Sequence, residues 1–358
     1  MDPSNRTRFD TLAPDFRLLI NGSEISDDAM ANLVAVNVLD DVDASSMFSC
    51  TLVNWDQIKS EPKWLDDGPF KEGNSVEVKM GYKDTLRTLF KGEITGLEPE
   101  FTHRAPPTLT ARGYDRCHRL MRKRKTRSFR NMKDSDIATQ IAADAGLTPQ
   151  TEDTNVTLDY VLQHNQTDFD FLRERARRIG YEVLAMDRAL HFRPRQISQS
   201  ASLTLAREVE LLEFRPRLTT VGQVGEVRVQ GWNPKDKKEL VAQSAAGQES
   251  TLMGGSVSGP SATNHAFQET GGVSVHLPVH SQAEADQIAR GWFGEMALSY
   301  ITGSGLCIGQ PDLRAGSIVK IEGLGQRFSG LYYVTASEHT YKPRTGYRTA
   351  FSVRRNAT

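Results

Sequence analysis

One pattern of short strands recurs at the two ends of this chain. The stretch "KEGNSVEVKM…LFKGEITGLEPEF…PTLTARGYDR" sits beside "RAGSIVKIEG…RFSGLYYVTASEHTY…RTAFSVRRN" with several features in the same order. Gly73 aligns with Gly316, and Val76 and Val78 align with Val319 and Ile321. Phe90-x-Gly92 aligns with Phe328-x-Gly330, and Ile94-Thr95 meets Val334-Thr335 after a two-residue slip. Both copies close on an alternating strand that ends in Arg. The period is far too long for a solenoid. One β module used twice, with other structure between the copies, is the expectation.

The rest of the pattern fits that frame. Residues 1–13 are polar and read as an extended arm. From Phe16 the chain turns β-like: "FRLLINGSEI" carries an Asn21-Gly22 hairpin signal, and "SVEVKMGY" alternates as a half-buried strand does. About six strands are expected before the middle. There "KDSDIATQIAADAGL" reads as a helix capped by Asp134 or Ser135 and stopped by Gly146. A second helix follows, capped by Thr167 or Asp168, with Phe169, Leu172, Ala176 and Ile179 as one apolar stripe. Glu174 and Arg178 lie four apart on its expected wet side. Gly180 ends it, and "YEVLAMDRALHFRP" reads as two short strands around Asp187. A Gly/Ser-rich stretch, 242–275, is too long for a turn and reads as a mobile surface loop. Helix 281–300 then opens on Ser281 and Glu284, a capping box. The boundaries expected are an arm at 1–13, a first tube-like β domain at 14–116, an α/β middle region at 117–205 and a second tube-like β domain at 206–358.

Composition narrows the function classes. At 358 residues, two or three domains are expected. A net charge of −1 supplies no global field towards nucleic acid or an anionic membrane. Cys50, Cys117 and Cys307 are distant and odd in number, which argues for reduced, buried thiols over a disulfide framework. There is no apolar leader and no run of membrane-spanning length. A soluble protein made in the cytoplasm, without stable membrane insertion, is expected.

Catalytic motifs are missing from the sequence. His-Glu-x-x-His, Cys-x-x-Cys, the Walker-type loop and Gly-x-Ser-x-Gly do not occur. His276 and His280 are four apart, but Pro278 lies between them in a strand-like run, so they share no helical face. "GSGLCIG" follows a helix, not a strand, and reads as a turn. No catalytic residue, cofactor or metal ligand is therefore expected. The stretch 112–133 carries ten Lys or Arg. It could contact phosphate, but with a neutral chain around it the favoured reading is a connector paired with acidic neighbours.

Three stretches carry a family resemblance. In "ARGYDRCHRLMRKRKTRSFRNMKDSDIATQIAADAGL", Gly113, Tyr114 and Asp115 open a basic segment that leads to the helix start Asp134, Ser135, Asp136. In "LQHNQTDFDFLRERARRIGYEV" the pattern Gln163-x-Asn165-x-Thr167-Asp168-x-x-Phe171-Leu172 is followed by Gly180-Tyr181. The third stretch is "GSIVKIEG…GLYYVTASEHTY". Over roughly 14–358 the sequence resembles the late control protein D family of contractile-tailed phages, baseplate hub proteins related to the N-terminal part of VgrG-type spikes.

The resemblance implies two tube-like β-barrel domains in one mixed, β-rich α+β chain, with an inserted α/β region and a trimeric, pseudo-sixfold ring. Such a ring would join a sixfold tail tube to a threefold spike. The implied partners are two further copies, the tail tube protein, a spike or needle protein and other baseplate proteins, with DNA or effector passing through the lumen. The implied location is a virion tail baseplate or an extracellular injection particle made in the bacterial cytoplasm. Because the sequence ends at Thr358, soon after the second β module, the needle is expected to be a separate chain. Signature residues would then be structural, and the repeat glycines Gly73, Gly92, Gly316 and Gly330 would mark equivalent turns. The competing classes are a cell-wall hydrolase of a tail tip and a nucleic-acid-binding module built on 112–133.

Overall fold

The structure is a computed structural model that describes residues 13–358 apart from 67, 84, 198–199, 234–235 and 268–271. Apart from Ala13, the expected arm at 1–13 lies outside the described residues.

Alternating side chains build the first strand group. It comprises β1 (Pro14–Ile20), β2 (Ser23–Glu24), a short helix α1 (Asp27–Ala31), β3 (Leu33–Asp41), β4 (Met47–Val53), β5 (Ser75–Tyr82), β6 (Thr85–Glu100) and β7 (Thr108–Tyr114). In β5, Val76, Val78 and Met80 are buried on one face, as a period of two requires. Asn21 and Gly22 turn β1 into β2, both with positive φ (52° and 84°), the conformation this hairpin turn demands.

The middle region follows. A 3-10 turn (Arg116–Met121) leads into β8 (Arg124–Lys133), α2 (Asp134–Asp144), β9 (Thr148–Thr151), β10 (Thr157–Thr167), α3 (Asp168–Arg178), β11 (Tyr181–Met186) and β12 (Ala189–Pro194). Phe169, Leu172, Ala176 and Ile179 of the α3 stripe are all buried. Each large apolar side chain so placed contributes about 1.5–3 kcal/mol. Helix α2 begins one residue before the expected caps: Lys133 holds the cap position, and its backbone N–H donates to Asp136 Oδ2 at 3.2 Å.

The remaining elements are β13 (Leu203–Ala206), β14 (Leu211–Leu218), β15 (Glu226–Asn233), β16 (Lys238–Ala245), α4 (Gly259–Phe267), β17 (Val273–His276), α5 (Gln282–Ala297), β18 (Ile301–Ile308), β19 (Ile318–Glu322), α6 (Gly325–Phe328), β20 (Gly330–Lys342) and β21 (Gly346–Arg355). The stretch 242–275, expected as a loop, instead contains the end of β16, all of α4 and most of β17. Small residues permit this. Gly259 N donates to Asn356 O at 2.8 Å, and an added Cβ at Gly259 would meet Tyr300 at 2.5 Å.

A single sheet of 13 strands runs in the order β14-β18-β21-β20-β3-β4-β7-β6-β5-β1-β2, with β19 beside β20 and β13 beside β19. It joins what the sequence reading keeps apart. Strand β20 pairs with β3 from Ala336 opposite Asp41 to Tyr341 opposite Val36. Tyr347 lies in the hydrophobic core of the first strand group, and the Tyr341 ring packs on Phe16 with centroids 4.5 Å apart. The segment from β15 to α5, placed by the sequence with the second β domain, shares the core of the middle region instead. Val229, Leu240, Val275, Ile288 and Ala289 pack there with Ile137, Leu172 and Phe192.

The repeat is real in register. Gly73 N donates to Ile94 O at 2.8 Å, and Ile94 N donates to Asn74 O at 2.9 Å; Gly316 N donates to Val334 O at 2.8 Å, and Val334 N donates to Ser317 O at 2.9 Å. A register shift follows in each copy, between Ile94 and Gly96 and between Val334 and Ala336. The neighbour order β3-β4-β7-β6-β5 thus matches β14-β18-β21-β20-β19. One sequence match fails. Gly92 lies opposite Val76, whereas Gly330 lies opposite Ile321, two residues out of step. The register partner of Gly92 is Tyr332, and Phe90 is the partner of Gly330, because α6 delivers the second copy into its strand at a later point.

Candidate functional site

The signature motif closes on itself around the entry to α3. Gln163, with 0% of its surface exposed, accepts from Arg127 Nε at 2.8 Å through Oε1. Its Nε2 donates to Asp168 Oδ1 at 2.9 Å and to Gln166 O at 3.1 Å. Asp168 also accepts from Arg127 at 2.8 Å and from Lys125 Nζ at 2.6 Å. Asn165 occupies the register shift between β10 and β8 with φ 46°, a conformation that Asn tolerates better than most residues. Thr167 caps the helix, its Oγ1 accepting from Asp170 N at 3.1 Å. Phe171 stacks on Phe129 at 5.7 Å, and Leu172 is buried beside them. Each residue of the motif therefore has a packing or hydrogen-bonding task.

The other signature residues pin this region to its neighbours. Arg175 of α3 grips Asp134 of α2 with two bonds, at 2.7 and 2.9 Å. Ser135 and Thr154 meet at 3.4 Å. Asp115 is buried; its Oδ1 accepts from Ser45 Oγ at 2.6 Å and Cys117 N at 2.8 Å, and its Oδ2 accepts from Ser46 N at 2.7 Å. Burial pushes its pKa up to about 6, against the opposing pull of those donors. An added Cβ at Gly113 would meet Glu93 O at 2.3 Å, so only glycine fits between β4 and β6. Tyr114, by contrast, is 36% exposed.

The basic stretch is consumed largely by ion pairs. Arg112 meets Glu98 at 2.7 Å, Arg116 meets Asp187 at 2.6 Å, Lys133 meets Asp153 at 2.8 Å, and Arg119 pairs with Glu93. With Lys125 and Arg127 also engaged, this is the paired connector that charge balance favours. Arg178 departs from expectation: it turns away from the wet face to meet Glu284 of α5 at 3.4 Å.

Sequence reasoning missed the stitches between regions. Gly180 (φ 74°) ends α3, and Gly291 of α5 lies against it; a Cβ on Gly291 would stand 2.7 Å from Gly180 N. Tyr333 of β20 donates to Glu182 of β11, whose carboxyl also accepts from Arg193 at 3.0 Å. Burial raises the Glu182 pKa, with Tyr333 and Arg193 opposing. Arg314 pairs with Asp40 of β3 and donates to Leu89 O at 2.6 Å. His339 is wholly buried, between Tyr347 Oη at 2.7 Å and Leu313 O at 3.1 Å. Only spatial pairing of distant residues reveals these contacts; Gly291 and Gly294 both interrupt the α5 helix pattern, and the sequence does not say which of them meets a neighbour.

A cleft of about 720 Å³ between α3 and α5 is lined by Arg173, Glu174, Arg177, Trp292 and Glu295, with both charge signs interspersed. Among the described residues, no group of three or more His, Cys, Asp or Glu could hold a metal ion. No helix among them is long and apolar enough to cross a membrane.

Comparison with known proteins places the fold. The family described as the Alg8 N-terminal domain matches residues 11–342. No curated protein matches the chain. A 43 kDa tail protein of prophage MuSo2 from Shewanella oneidensis superposes with a TM-score of 0.71 at 12% identity, covering 96% of this chain and 98% of that one. A tail protein from Neisseria meningitidis MC58 gives 0.69 at 13% identity, covering 96% of each. An Escherichia coli type VI secretion component, described as structurally similar to the T4 tail proteins gp27 and gp5, gives 0.59 at 12% identity, covering 95% of this chain and 77% of its own. The β-rich architecture with its large antiparallel sheet is that of phage tail proteins.

Proposed function

This chain belongs to the family described as the Alg8 N-terminal domain, and from that premise and its fold we propose that it is the structural baseplate hub of a contractile phage tail or a related injection particle. The observation that carries the reading is the duplicated strand unit, anchored at Gly73 and Gly316 and fused through β20 and β3. Two like units per chain become six in a trimer, which lets a threefold object meet a sixfold one. A sixfold tail tube on one side, a threefold spike on the other and further baseplate proteins around it are the partners this geometry suits. DNA or effector would pass through the ring. The tube-like domains would be built on 14–116 and 206–358, with 117–205 between them, corrected for the segment from β15 to α5 that packs on the middle. The signature residues, from Gly113 and Asp115 through Gln163 and Asp168 to Gly180, would hold the middle region rigid. The chain would be made in the bacterial cytoplasm and act as part of a virion tail or extracellular particle.

Such a role requires no catalytic step, and the neighbouring folds are tail proteins, in keeping with a non-enzymatic part. Deleting the gene in its bacterium and imaging the released particles tests the proposal. Loss of complete tails, restored by the gene in trans, is expected. Normal, fully assembled particles lacking this chain would overturn it.

A further inference from the structure

Six of the ten basic residues in 112–133 meet acids within the chain: Arg112, Arg116, Arg119, Lys125, Arg127 and Lys133. The other four, Arg122, Lys123, Arg124 and Arg130, are exposed and pair with no acid among the described residues. Arg124 reaches only a carbonyl, that of Asn165, at 2.8 Å. These four are not scattered, for all lie in β8 or just before it.

Alternation sorts β8 into two faces. Lys125, Arg127 and Phe129 point inward, the first two to Asp168 and the third onto Phe171. Arg124, Thr126, Ser128 and Arg130 therefore share the outer face, as a period of two requires. The register with β10 sets Tyr160 opposite Arg130 and Leu162 opposite Ser128 on that same face. Tyr160 is 49% exposed and Leu162 48%, two large side chains in water side by side. Strands β8 and β10 form a sheet of their own, whose inner side shares a core with Ile137 of α2 and Leu172 of α3. Asp159, the one acid in the two strands, has an interaction of its own. The outer face thus carries a basic row along β8 beside an apolar pair on β10.

We propose that the outer face of the β8–β10 ribbon is a docking surface for an acidic amphipathic helix of another protein. Charge complementarity sets the sign of the partner. Tyr160 and Leu162 set the second requirement, an apolar stripe. The row from Arg124 to Arg130 runs about 20 Å along the strand, the length of about 13 helical residues. Neighbouring strands lie about 4.8 Å apart, so a helix about 10 Å wide covers both rows. Its acids would lie over β8 and its apolar side chains over β10. Arg and Tyr are the side chains that anchor such interfaces. Nucleic acid would satisfy the arginines but would set Leu162 against sugar and phosphate, with no apolar counterpart. The surface belongs to a single chain, so it stands apart from the ring reading above.

The full chain, titrated against a fluorescein-labelled peptide and read by anisotropy, tests the surface. The probe is a helical peptide of Ala, Glu and Leu about 14 residues long, with Leu at helical spacing. Its controls are the same peptide with Leu replaced by Ser, the same peptide with Glu replaced by Lys, and duplex DNA of similar length. The Glu/Leu peptide should bind about tenfold more tightly than each control, or better. Arg130→Glu and Leu162→Ser should each weaken it about tenfold or more. Arg290→Glu, at an exposed position of α5, should leave it unchanged. Ser128→Glu, at the centre of the face, serves if either variant fails to fold. Equal binding of the Ser peptide or of DNA would overturn the proposal in favour of a bare anion site. No binding, or binding indifferent to these variants, would overturn it outright.

Discussion

Gly73 and Gly316 occupy the same backbone position in two copies of one strand unit. Their φ angles are 88° and 82°, and each donates its N–H at 2.8 Å to the carbonyl of the residue that precedes the copy's bulge. Replacing either by alanine forces a Cβ into a conformation that costs about 1 kcal/mol or more. At Gly73 the added methyl meets nothing within 4 Å, so the loss is conformational. At Gly316 it also meets Leu184 at 3.3 Å. Gly316→Ala should therefore destabilise more than Gly73→Ala, as measured by urea unfolding midpoints.

Asp168 is the hub of the signature network. Asp168→Asn keeps the shape but removes the charge facing Lys125 and Arg127 and places an amide where acceptors are needed. A loss of about 2 kcal/mol is expected. The softer test is Gln163→Leu, which leaves the charges paired and should cost less. Equal losses would refute the central place of Asp168.

Acid stability should carry the signature of His339. Burial, with Arg314 adding to it, lowers its pKa to about 3 from 6.5. The unfolded chain therefore takes up the proton first as pH falls. The stabilisation is complete above about 6.5 and is lost progressively towards about 3, at up to about 1.4 kcal/mol per pH unit. Asp115 works in the opposite sense. Its folded pKa of about 6 exceeds the ordinary 3.8, so raising pH through that window costs stability. The two oppose each other, so the comparison must be with His339→Gln, in which stability should lose its rise with pH between about 3 and 6.5.

Gly291 is the tightest joint between α3 and α5. Gly291→Ala drives a methyl onto the backbone of Ile179 and Gly180, at 2.7 Å from each. Overpacking of this kind costs about 1–3 kcal/mol. Gly294, three residues on, has nothing within 4 Å of an added Cβ, and Gly294→Ala should be neutral or stabilising. Similar thermal midpoints for the two variants would contradict the contact.

Local physics made much of this legible. The α3 stripe, the Thr167 cap, the Asn21-Gly22 turn and the shared anchor at Gly73 and Gly316 follow from side-chain period and backbone freedom, which act within a few residues. What the sequence hid was non-local. The pairing of β20 with β3 joins residues about three hundred positions apart, and no period records it. The stretch 242–275 looked like a loop because small residues suit close packing as well as freedom, and Gly259 against Tyr300 is the former. The match of Gly92 with Gly330 misled because a repeated Phe-x-Gly is a spelling, whereas register is set by hydrogen bonds. Arg178 reads as solvent-facing from its own helix alone, whereas Glu284 of α5 lies beside it at 3.4 Å.

The proposed function stands or falls on three copies of this chain closing into a ring that joins unlike symmetries. Native mass spectrometry of the purified chain, alone and co-expressed with the spike protein proposed as its partner, tests it most directly. The account predicts a species near three times the 39.9 kDa chain mass. A chain that remains a monomer in both preparations would contradict it.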